Sequence, residues 1–128
     1  DKLLVKSFEH MGKGKTVYEA LLKKFTYIQE EQKFFSAAFR YDSQNSLRQH
    51  DFELILKFYE DLICEKTGKV PAENIHFLLE MYCQSSIYMT IKWVTGGVTC
   101  TPEELATTLV EGMPGKLTEM FSDLDMLS

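Results

Sequence analysis

The chain has 128 residues, is 45% hydrophobic and 26% charged, and carries a net charge of −5. That composition excludes a disordered or collagen-like chain, and the length suits one domain whose core needs no disulfide or metal staple. The acidic balance argues against this chain by itself coating nucleic acid or an anionic membrane.

The first predicted element, an amphipathic helix over about 1–10, ends at the basic loop Met11-Gly12-Lys13-Gly14-Lys15. Thr16 offers a cap for the second, with Glu19 three residues on. Its apolar stripe is Val17, Leu21, Leu22, Phe25 and Ile28, reaching about Glu31. A third piece, Lys33 to Arg40, carries Phe34, Phe35 and Phe39, and the polar run Asp42 to Ser46 supplies a turn and a cap. From about Leu47 to Lys66 one face is set by Phe52, Ile55, Tyr59 and Leu62. Gly68 ends that helix, and Pro71 suits the first turn of the next.

The segment Pro71–Thr95 is apolar nearly all round, from Ile75, Phe77 and Leu78 to Trp93 and Val94. Such a helix must be covered on every side, which assigns one face to its own core and another to a partner. Gly96-Gly97 stops it. Thr101-Pro102-Glu103-Glu104 then opens another helix with a cap, a first-turn proline and a glutamate at the third position. The break Gly112-Met113-Pro114-Gly115 predicts a kink or two short helices. With no clean period-2 alternation anywhere, the fold class is all-α, an antiparallel bundle of about six helices.

Charge is uneven along this bundle. Residues 1–64 are neutral overall and residues 65–128 hold the whole −5, yet the first 24 reach +3 through six lysines against Asp1, Glu9 and Glu19. Cys64, Cys83 and Cys100 form an odd set without a CxxC pair, as expected of reduced thiols in the cytoplasm. Neither a signal peptide nor a run of about 18 uncharged apolar residues is present, so no membrane partner is expected. The chain starts without a methionine, inside the amphipathic segment Asp1 to Phe8, and reads as a fragment that has lost an N-terminal region.

Catalytic and metal motifs are weak. Gly14-Lys15-Thr16 looks like the end of a phosphate-binding loop, but Glu9 stands where its first glycine belongs and no strand precedes it. His76 and Glu80 share a helical face, an arrangement that a surface hydrogen-bonded pair explains better than a metal. No cofactor, metal or enzyme activity is expected. The unusual feature is the load of phenylalanine, tyrosine and methionine on helix faces, which suits a core with an interface or an apolar cavity with a few polar tips. Tyr59, Tyr82, Gln84 and Ser85 are the candidate tips.

Three stretches in order resemble the C-terminal part of TetR-family transcriptional regulators, in particular the subgroup that includes the dihydroxyacetone-operon activators. They are the opening Asp1-Lys2-Leu3-Leu4, the segment Leu21 to Ala37, and Ile91-Lys92-Trp93-Val94-Thr95-Gly96-Gly97 followed by Thr101-Pro102-Glu103-Glu104-Leu105. Gln32 and Pro114 depart from the family pattern. The resemblance implies a regulatory domain that dimerises through its last two long helices and holds a small organic effector between the middle ones. Operator DNA would be read by a helix-turn-helix domain upstream of Asp1. Carried over by position, the pocket residues are Phe25, Phe35, Phe39, Phe52, Ile55, Tyr59, Tyr82, Ser85 and Met89. The homodimer residues are Tyr88, Ile91, Lys92, Val94, Ala106, Leu109, Val110 and Met113. A regulator that senses a protein, with a collapsed pocket, and a stand-alone helical interaction module are the alternatives.

Overall fold

Local signals decide where the helices start and stop. In the computed structural model, which describes residues 2–128, Thr16 accepts the Glu19 N–H at 3.1 Å and opens α2 (Val17–Glu30), after α1 (Lys2–Met11). A single non-helical residue, Glu31, separates α2 from α3 (Gln32–Arg40). Asp42 then caps α4 (Ser46–Thr67), its carboxylate accepting the N–H groups of Leu47 and Arg48 at 3.1 and 3.0 Å. Gly68 ends α4 with φ +74°, a left-handed conformation that costs glycine nothing.

The long helix α5 (Glu73–Val94) begins two residues after Pro71. Thr101 and Glu104 form a complete reciprocal capping box at the start of α6 (Pro102–Glu111). The Gly112–Gly115 break separates α6 from α7 (Gly115–Asp123), so seven helices, not about six, stand among the described residues. None of them is long and apolar enough to cross a membrane.

The architecture follows from which stripes meet. α1 packs along α2, α2 along α6, and α4 forms a hairpin with α5, while α3 and α7 cross α5. One continuous core results, running from Leu4 and Met11 through Leu21, Phe25 and Ile28 to Leu79, Ile87, Leu117 and Phe121. At about 25 cal/mol per Å² of apolar surface, each such buried side chain contributes roughly 1.5–3 kcal/mol. Two side-chain-to-backbone bonds, one local and one long-range, hold the far end of α5. Trp93 Nε1–H donates to the Cys100 carbonyl at 2.8 Å, and the Arg40 guanidinium reaches from α3 to the Thr95 carbonyl.

Candidate functional site

The nine residues expected to line a pocket sit on α2, α3, α4 and α5. Seven of them (Phe25, Phe35, Phe39, Phe52, Ile55, Tyr59 and Tyr82) are buried. Met89 is half-buried, and Ser85 is exposed, its hydroxyl donating back to the Tyr82 carbonyl at 3.0 Å. Ser85 therefore points away from the interior. The neighbouring hydroxyl, Ser86, faces inward instead, at 5% exposure.

Helical spacing puts Asp51, Ile55 and Tyr59 on one face of α4, and Leu79, Tyr82, Cys83 and Ser86 on the facing side of α5. Polar groups are threaded along this seam. Lys24 of α2 reaches Asp51 with its Nζ 3.0 Å from Oδ1, both side chains at or below 2% exposure. The same ammonium lies 4.3 Å from the centre of the Phe8 ring on α1, a cation–π contact. Further along, the Tyr59 and Tyr82 rings lie 6.1 Å apart, and Tyr59 also meets Phe121 at 5.8 Å. Tyr82 donates its hydroxyl to the Leu109 carbonyl of α6.

Among the described residues three buried oxygens in the seam, Asp51 Oδ2, Tyr59 OH and Ser86 Oγ, make no well-formed hydrogen bond, although the Tyr59 and Ser86 hydroxyls lie close enough to that of Tyr82 to influence it. Each costs on the order of 1–3 kcal/mol while it stays dry and unpaired. Burial raises the Tyr59 and Tyr82 phenols above their ordinary range, so both hydroxyls stay protonated and able to donate. Burial likewise pushes the Cys83 thiol up to about 12, which removes it as a nucleophile at neutral pH.

Sequence reasoning missed Lys24 and Asp51. By sequence Lys24 belongs to the basic N-terminal stretch, but the structure turns it inward, leaving Lys2, Lys6, Lys13, Lys15 and Lys23 as that end's exposed cations. Nothing local marks a pair 27 residues apart. His76 bridges two helices on the surface, with Nδ1 2.8 Å from Glu60 Oε2 and Nε2 3.8 Å from Glu80 Oε2. Among the described residues no group of histidine, cysteine and carboxylate side chains is arranged to hold a metal.

A second region lies outside. Phe77, Met81 and Tyr88 of α5 are 62%, 57% and 56% exposed and share one face with Gln84. Beside them a groove of about 710 Å³ runs between α5 and α7, lined by Glu73, Asn74, Phe77, Leu78 and Lys116. The residues expected at a dimer face divide between this surface and the core. Tyr88 and Lys92 are exposed and Val110 is half-buried, but Ile91, Val94, Ala106, Leu109 and Met113 are buried within the protomer. For Ala106 and Leu109 the reason is that α6 is short and lays its apolar stripe against α2.

A family model for the C-terminal region of transcriptional regulators, of the TetR type, matches residues 15–115. The chain belongs to this family. No curated protein and no solved structure matches it. The first helix of this TetR-type regulator domain, α1, lies just ahead of the matched stretch and touches the polar seam through Phe8.

Proposed function

We propose that this TetR-type domain senses a small organic effector in the seam between α2, α4 and α5, and dimerises through the exposed face of α5. A DNA-reading head upstream of Asp1 would then respond to the position of α1. The observation that carries this reading is the set Asp51 Oδ2, Tyr59 OH and Ser86 Oγ, buried oxygens that make no well-formed hydrogen bond in a core already holding the Lys24–Asp51 pair. A ligand with complementary polar groups would pair these atoms, and an equilibrium shifts only by such a difference in affinity between two states. The closer likeness to dihydroxyacetone-operon activators belongs to this proposal as well.

The mechanism is a population shift. Lys24 touches α1 through Phe8 and α4 through Asp51, so separating α4 from α2 to admit a ligand also loosens the seat of α1. In the dimer, two such helices would set the spacing of two DNA-reading heads. A thermal-shift screen of small polar organics tests the reading. A binder present at about 100 times its Kd stabilises by about 2.7 kcal/mol. The shift should disappear in the double variant Tyr59→Phe, Ser86→Ala. A binder whose shift survives both substitutions would place the site elsewhere.

The closed interior and the open stripe Phe77, Met81, Tyr88 favour one other reading, a domain that senses a protein docked on α5. Under that reading no small molecule shifts the melting temperature, and Met81→Lys abolishes regulation while the seam substitutions leave it intact.

A further inference from the structure

The first four N–H groups of a helix have no partner inside it and must be met from outside or by solvent. In α2 the first three of these N–H groups are met by other parts of the chain, partly from the far end of the sequence. Val17 N–H donates to the Met126 carbonyl at 2.7 Å, and Tyr18 N–H to the Leu127 carbonyl at 3.2 Å. Glu19 N–H goes to Thr16 Oγ, and with Ala20 N–H the helical ladder begins, on the Thr16 carbonyl at 2.9 Å.

The segment that supplies those carbonyls is itself tightly built. Asp125 takes a left-handed φ of +59°, its N–H donates to Ser122, and the Met126 N–H returns to the Phe121 carbonyl at 2.8 Å. This is the double-bonded helix ending that turns a chain sharply back. It buries Met126 to 5% exposure. On the other side, the loop carrying α1 sits flush on the same first turn of α2. A Cβ on Gly14 would lie 2.4 Å from the Ala20 nitrogen, so only glycine fits there.

We propose that Leu124–Leu127 is a mechanical strap that ties α7 to α1 through the first turn of α2. α7 forms one wall of the grooves beside α5, where Lys116, Met120 and Leu124 line the side facing Ile75. A displacement of α7 therefore pulls on the carbonyls that hold Val17 and Tyr18, and with them on the loop wedged against Ala20. The tie stands on backbone geometry alone; its use in regulation rests on the reading above, that α1 reports to a DNA-reading head.

Hydrogen exchange on the whole chain, with no ligand added, tests the tie separately from the effector. Asp125→Pro forbids the positive φ without removing a core side chain, and Asp125→Gly favours it. We expect Asp125→Pro to speed exchange at Val17 and Tyr18 at least tenfold and to speed Phe8 to Met11 in α1 with them, while Tyr82 to Ile87 keep the wild-type rate. Asp125→Gly should slow both the first and the second group. Should Asp125→Pro unfold the whole domain, the Asp125→Gly comparison still decides. Altered exchange at Val17 and Tyr18 with none at Phe8 to Met11 overturns the strap, as does an unchanged Asp125→Gly profile.

Discussion

The inner seam and the outer face of α5 are opposites. Around Tyr59, Tyr82 and Ser86 polar atoms are sealed from water without enough partners, whereas at Phe77, Met81 and Tyr88 apolar surface is left to solvent without cover. Both are costs that a protein designed only for stability would shed. Under the proposed function, their coexistence on two sides of one helix makes α5 the element through which the domain meets what it senses. The seam calls for a polar partner from within, and the stripe calls for an apolar partner from without.

The largest effect tests how much of the seam is structural. Lys24→Ala leaves Asp51 as a buried, unpaired charge and should cost about 3–5 kcal/mol in denaturant unfolding. The double replacement Lys24→Met, Asp51→Leu should recover most of that loss, because the pair's desolvation is removed with it. If the single variant costs under 1 kcal/mol, the seam is wetter than its burial implies. Next, Tyr82→Phe strands the Leu109 carbonyl and should cost about 1–3 kcal/mol. Ser86→Ala deletes a hydroxyl that makes no well-formed hydrogen bond and should be neutral or stabilise by up to about 1 kcal/mol, measured the same way. This contrast in sign between two neighbouring hydroxyls is the sharpest probe of the comparison.

On the outer face the stability effect should nearly vanish. Met81→Lys is expected to change unfolding by less than about 0.5 kcal/mol, while under the proposed dimerisation through α5 sedimentation shows wild type as a dimer and the variant as a monomer. A variant that stays dimeric would move the interface off α5. Smallest is the pH response at the α4 cap. Burial pulls the Asp42 carboxyl upward, but the N–H groups of Arg48 and Leu47 and the Ser46 hydroxyl outweigh it, and its pKa is lowered in the folded state. A carboxylate lowered on folding stabilises above its unfolded pKa, and that contribution is lost as pH falls through the lower folded value. Wild type and Asp42→Asn should therefore converge in stability below the ordinary carboxylate range and diverge above it.

Much of the helix plan was legible because its signals are local. Thr16 with Glu19, Thr101 with Glu104, and Gly68 each act within three or four residues of the helix end they define. The candidate site was legible only in part. The spacing of Ile55, Tyr59 and Tyr82 marked buried faces, yet periodicity could not separate Ser85 from Ser86, where one step of about 100° moves a hydroxyl from water to the core. It also could not show that Leu109 and Ala106 turn toward α2, since that depends on where α6 lands.

The sequence by itself determined an all-helical domain, its element ends and its membership in a regulator family, because caps, breaks and apolar periods are encoded within a turn or two of chain. Only the tertiary structure decided the Lys24–Asp51 pair, the hydroxyls without a well-formed hydrogen bond, the bare stripe on α5 and the strap from Met126 to Val17. Each of these joins residues far apart in the chain, or depends on what covers a helix face, and is fixed by how helices pack.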